Sequence, residues 1–182
     1  MNKKMILAPI IVLLMLLAVA PVMACPTHSQ KVTAWNTTTG LGNPPVPPKY
    51  SWTTAGGITI EIGYQSDVVG KLGIGSNTYN IYSHSVSNLV YNSKTGIADR
   101  LSDAVWYVPT LGSSDGFSGI VNIRYVGVTS LSSTGAPLGA TSYSVHLILQ
   151  GFGEFKGQTL MLSYDGPSVK TAEWTGYCLI PT

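Results

Sequence analysis

From Ile58 onward the sequence repeats with a period of two, and that rhythm limits the fold more than any other feature. Ile58, Ile60, Ile62 and Tyr64 share one parity, and Thr59, Glu61, Gly63 and Gln65 the other. This is the alternation of a strand with one buried and one solvated face. Phe117, Gly119, Val121, Ile123 and Tyr125 repeat it, as do Tyr143, Val145, Leu147 and Leu149, then Leu160, Leu162 and Tyr164, and finally Ala172, Trp174, Gly176, Cys178 and Ile180. Gly157 can take the positive φ of a tight hairpin around Phe155–Gln158, and Asp165-Gly166-Pro167 supplies the next turn. Parity therefore predicts an inner set of Ile58, Ile60, Ile62, Val121, Ile123, Leu147, Leu149, Leu160, Leu162 and Trp174. Between Ser66 and Pro109 glycines interrupt the pattern. There Ile97 to Tyr107 fits equally a strand or one short helix with Asp99 as N-cap.

Many short strands punctuated by Gly, Pro and Asp make the chain all-β. The expectation is an antiparallel barrel, or alternatively a β-sandwich, with an extended N-terminal arm and at most one short helix. Closure is favoured because it removes exposed strand edges. The segment Gly151-Phe152-Gly153-Glu154-Phe155-Lys156-Gly157 resembles the Gly-x-Gly-x-Phe-x-Gly hairpin of dirigent and allene-oxide-cyclase-type barrels. The resemblance covers one hairpin and implies a small antiparallel barrel. No active-site residue of those families carries over.

The N-terminus divides the chain. Lys3 and Lys4 precede an apolar run from Met5 to Ala20, and Val22-Met23-Ala24 fits a processing point, so residues 1–24 read as a signal peptide. Residues 25–57 form an arm and proline-rich spacer: Lys31 to Trp35 is β-like, whereas Pro44 to Pro48 should be polyproline-like. Residues 58–182 form the antiparallel β domain. Processing would expose Cys25 and Cys178 to oxidising surroundings, where a single disulfide is the natural expectation. The alternative is a lipid anchor at Cys25, since Val22 to Cys25 is similar to a lipobox. Asn36-Thr37-Thr38 is an N-glycosylation sequon at Asn36. The localisation expected is secreted or cell envelope, with no membrane span after processing.

The chain has 10 Lys and Arg against 8 Asp and Glu. Lys3 and Lys4 account for the excess, so the rest is formally neutral and its charges are scattered singly. A nucleic-acid partner is not expected, because such proteins gather cations on one face. A charge-poor body instead eases association with itself or another envelope protein.

Catalytic chemistry is not written in the sequence. His28, His84 and His146 lack metal-ligand spacing, and no cofactor motif or nucleophile elbow is present. Asp99 and Asp103 flank Arg100 and read as solvated capping residues rather than a catalytic pair. Glu61, Arg124, His146, Gln150 and Glu154 sit on the less apolar parity, which faces solvent. Inside a barrel they would line a ligand site. Trp35, Trp52, Tyr82, Arg124 and His146 are candidate ligand or surface contacts, since aromatic faces bind sugars and protein surfaces, whereas the ordinary role of the aromatics is to pack the arm onto the domain. The functional expectation is an exported, non-enzymatic structural or binding module, with strand donation by Lys31–Trp35 as one version. The alternative is a barrel binding an apolar small molecule, or an enzyme built in one. A filled interior would exclude both alternatives.

Overall fold

The computed structural model describes residues 27–36, 45–112, 114–167 and 173–181. The expected leader and Cys25 lie outside them, as do residues 37–44 of the spacer; within the proline run, Val46 bridges to Gln65 of the sheet through two backbone hydrogen bonds. The strands are β1 Thr27–Asn36, β2 Tyr50–Thr53, β3 Ile58–Ile74, β4 Asn77–Asn92, β5 Ile97–Tyr107, β6 Gly116–Val126, β7 Ser130–Leu131, β8 Pro137–Leu138, β9 Ser142–Phe152, β10 Thr159–Gly166 and β11 Glu173–Pro181. A 3-10 turn at Gly153–Phe155 joins β9 to β10.

Eight strands form a ring in the order β1-β11-β10-β9-β6-β5-β4-β3, and β1 pairs again with β3 to close it. Every pairing in the ring is antiparallel. The fold is therefore an up-and-down barrel in which the first and last staves meet, so neither is left with a bare edge. β2 pairs with the opening residues of β3, and β7 with β8 forms a separate hairpin.

Lys31 to Trp35 belongs to β1, and β1 is a stave rather than an arm. Val32 pairs with Gly176 on one side and Ile74 on the other. Val32 and Ala34 are buried in the core, so this segment's inner face and both its edges are satisfied within the chain. Strand donation to another subunit is thus not open to it, and a boundary at residue 57 does not divide the barrel.

Ile97 to Tyr107 is a strand and not a helix. Its burial alternates strictly, with Ala98, Arg100, Ser102, Ala104 and Trp106 inward and Leu101 and Asp103 outward. Asp99 caps nothing; it accepts two hydrogen bonds from Arg124, at 2.8 and 3.1 Å.

Parity holds in β6, β9, β10 and β11, where Val121, Leu147, Leu149, Leu160, Leu162, Trp174 and Cys178 are buried and Ile123 packs against them. It fails at the start of β3. The register between β3 and β4 shifts between Ile62 and Tyr64, and Gly63, at φ +80°, supplies the extra residue of a bulge. A residue added to a period-two element exchanges its faces. Before the bulge Ile58 and Ile62 are therefore exposed and Glu61 is buried, the reverse of the expectation; after it Tyr64, Gly70, Leu72 and Ile74 point inward.

Both barrel ends are closed. At one, Phe155 of the 3-10 turn stacks on Phe117 at 4.7 Å and meets the edge of Tyr79 at 5.5 Å. At the other, Leu89, Tyr91, Ala98, Tyr125 and Val128 form a second cluster against which Leu131 of the β7–β8 hairpin packs.

Gly63→Val tests the bulge. A β-branched residue held at positive φ should cost about 1–2 kcal/mol, and its Cβ would sit 3.2 Å from Lys49 Cβ. The urea midpoint should fall accordingly, and Gly63→Asn should fall less. Equal midpoints for Gly63, Val and Asn would show that the faces of β3 are not exchanged here.

Candidate functional site: the barrel lumen

Between its two end clusters the barrel interior holds a pocket of about 180 Å³ that is partly open to solvent, since Ser66, Val68, Ser83 and Ser85 in its lining are only half-buried. One wall is small and hydroxylated: Ser66 from β3, Ser83 and Ser85 from β4, and Ser102 from β5. β6 and β11 supply an apolar side, Val121, Ile123 and Trp174, and Trp106 extends the apolar surface from β5 itself. The two indoles lie 5.9 Å apart, centroid to centroid.

Arg100 is the charged residue on this wall and is only 7% exposed. β5 puts it on the inner parity opposite Leu89 and Ile123. Its guanidinium carbon lies 4.3 Å from the centre of the Tyr64 ring and 5.7 Å from that of Tyr125. An aromatic face attracts a cation through its quadrupole, more strongly where water is excluded. Arg100 Nη2 also donates to the Gly135 carbonyl at 2.9 Å. Its Nε–H is buried and meets no acceptor, and the same is true of Trp174 Nε1–H.

Gly135 lies at the tip of the β7–β8 hairpin, which crosses the barrel end. Ser132 shapes the tip by accepting from Ala136 N at 2.9 Å, and Gly135 N donates to the Ser132 carbonyl at 2.9 Å. At φ +82° the tip passes so close to Glu61 that a Cβ there would come 2.4 Å from Glu61 Oε2. Only glycine satisfies both conditions. The hairpin is thereby tied to the lumen through Arg100 and confined by Glu61.

Glu61 is 4% exposed, and its Oε2 has no hydrogen-bond partner. Burial pushes its carboxyl above the ordinary value of 4.5, and the nearby Arg100 charge pulls it partly back. Among the described residues the pair does not approach within ion-pair distance. Burial likewise raises the Tyr125 phenol and the Cys178 thiol.

The expected contact residues lie elsewhere. Arg124 and His146 come together on the outer face, beside Asp99, Asn122 and Ser144, in an open polar depression. His146 Nε2 lies 3.2 Å from Ser144 Oγ. Gln150 is also exposed, on the outer parity of β9, and Glu154 is exposed in the 3-10 turn rather than at a strand position. Trp52 is exposed on β2, and the side chain of Trp35 lies outside the described residues, as does that of Asn36. Tyr82 is hydrogen-bonded to Asp67, which raises its phenol, and Asp67 Oδ1 is 2.6 Å from His84 Nδ1. His84 and His146 do not meet, because β5 and β6 separate β4 from β9.

The expected disulfide is not formed by Cys178. Its thiol is free and fully buried, Sγ donating to Gln158 Oε1 at 3.3 Å, and its partner across the β1–β11 ladder is Gln30. Among the described residues no three His, Cys, Asp or Glu side chains gather to hold a metal, and no helix is long and apolar enough to cross a membrane.

The raised Glu61 pKa has a thermodynamic consequence. The folded state binds this proton more tightly than the unfolded chain, so the contribution of this group to stability is full below about pH 4.5 and is lost as pH rises through the folded value. Glu61→Gln removes that dependence. Urea midpoints across pH 4 to 8 should show the variant gaining on the wild type as pH rises; parallel profiles would place Glu61 in water. No protein-family model, curated protein or solved structure matches the chain, so its role must be read from its own residues.

Proposed function

We propose that the chain is an exported small-molecule-binding barrel whose ligand sits in the lumen. The observation that carries this reading is an interior left unfilled: a closed barrel with apolar plugs at both ends keeps about 180 Å³ between them. Its wall combines aromatic surface with a few convergent polar groups, the usual composition of a ligand pocket. Protein interiors ordinarily pack without such voids, and an unfilled one forfeits dispersion contacts. The β7–β8 hairpin, held by one hydrogen bond to Arg100, is the natural door. Secretion rests on the leader pattern of residues 1–24, and the first residue of the mature protein would be Cys25.

Native mass spectrometry of the protein purified from the secreting cell's exterior tests this directly. The expected species begins at Cys25 and carries one small-molecule adduct that is lost on denaturation. A diacylglyceryl increment would instead place it on a membrane. A bare mass, with no thermal shift from any of a panel of ring-sized compounds, would contradict the binding reading.

A second reading, association with itself or another envelope protein, is favoured by one row of the outer face. Tyr177, Met161, Ile148 and Ile120 are cross-strand neighbours on β11, β10, β9 and β6, and all are exposed. Contiguous exposed apolar side chains mark interaction surfaces. Sedimentation of the wild type should then show a concentration-dependent dimer that Ile148→Lys with Met161→Lys abolishes; a monomer throughout would remove self-association.

A further inference from the structure

We propose that the lumen ligand is a small monocarboxylate with a ring-sized apolar body, its carboxylate read by Arg100 and Trp174. This rests on the binding reading above and adds the chemical class.

The argument begins with the imbalance of donors and acceptors. Three buried side-chain polar atoms among the described residues lack a partner: Glu61 Oε2, Arg100 Nε and Trp174 Nε1. The two donors belong to residues that line the cavity, and Glu61 does not line it. Arg100, moreover, is the sole charged residue in the lining and forms no ion pair within 4 Å among the described residues. A buried guanidinium is costly unless an anion or full hydrogen bonding compensates it; one carbonyl, two aromatic rings and the Glu61 carboxyl, which lies near but makes no ion pair with it, still leave the Nε–H without an acceptor. An anion entering the lumen would meet two unused, buried N–H donors and a positive charge, and a charge-assisted hydrogen bond is stronger than a neutral one.

Size and polarity set the rest of the ligand. An engineered cavity of about 150 Å³ admits benzene, so 180 Å³ leaves room for a single ring or a short branched chain bearing a carboxylate. Trp106, Val121 and Ile123 offer that body an apolar surface, whereas a bare inorganic oxyanion would leave them uncovered. Ser66 and Ser85 already bond each other at 2.9 Å. Ser83 and Ser102 also line the pocket, so their hydroxyls can add to the charge-assisted contact from Arg100 and the donor of Trp174.

Calorimetric titration of the full exported chain at neutral pH with benzoate, its neutral isostere benzamide, and sulfate separates the outcomes. Benzoate should bind at one site, benzamide at least about tenfold more weakly, and sulfate should not displace benzoate. In a ¹H–¹⁵N spectrum benzoate should shift the Trp174 Nε1–H, which an acid held on exposed Arg124 would leave untouched. Arg100→Gln should erase the advantage of benzoate over benzamide; should that barrel fail to fold, Trp174→Phe keeps the ring, lacks the donor, and should weaken benzoate but not benzamide. Equal binding of acid and amide would overturn the carboxylate assignment while leaving the binding barrel intact, as would displacement by sulfate. No binding of either ring compound to the wild type would overturn both.

Discussion

The structure depends on the pairing of its first stave with both its last and its second. β1 lies between β11 and β3, and without it an eight-membered ring becomes an open sheet with two long bare edges. Closure is what makes an inside at all. Val32 and Ala34 face the core from this stave and tie its edges to the apolar set of β10 and β11.

Closure also explains how polar residues come to be buried. In an open antiparallel sheet, Ser66, Ser83, Ser85, Ser102 and Arg100 would face solvent, as such residues ordinarily do. Within a ring the inner parity is enclosed whatever its chemistry, so the β3–β4–β5 side becomes a hydroxylated wall facing the leucines and tryptophan of β9, β10 and β11. The guanidinium of Arg100 then finds two tyrosine rings and the Gly135 carbonyl in place of water. That last contact joins the interior to the hairpin crossing the barrel end.

Much of the fold was legible because four strands combine strict alternation with large apolar side chains. Val121, Leu147, Leu160 and Trp174 announce their own inner face. The start of β3 escapes alternation for a definite reason: Gly63 looks like one more residue of an alternating strand, and only its positive φ and the β4 register reveal a bulge. Alternation alone therefore predicts Ile58 and Ile62 inward and Glu61 outward, the reverse of their positions in the fold. The site was nearly invisible for a related reason. Ala98-x-Arg100-x-Ser102-x-Ala104-x-Trp106 does alternate, but its inner members are small or polar while Leu101 and Val105 are apolar, so hydrophobicity could not select the buried parity. Arg100, flanked by Asp99 and Asp103, resembled a solvated turn. The clue available was Trp106, two steps along from Ala104 on the parity of Arg100.

Interstrand nuclear Overhauser effects from β1 test the account at its root. In the full-length labelled protein, the backbone of Val32 should show contacts to Gly176 and to Ile74 together, and mixing labelled with unlabelled chains should prove both to be intramolecular. Contacts to one neighbour alone, or contacts arising between different copies, would mean that the barrel is not closed by its own chain and that the lumen described here does not exist.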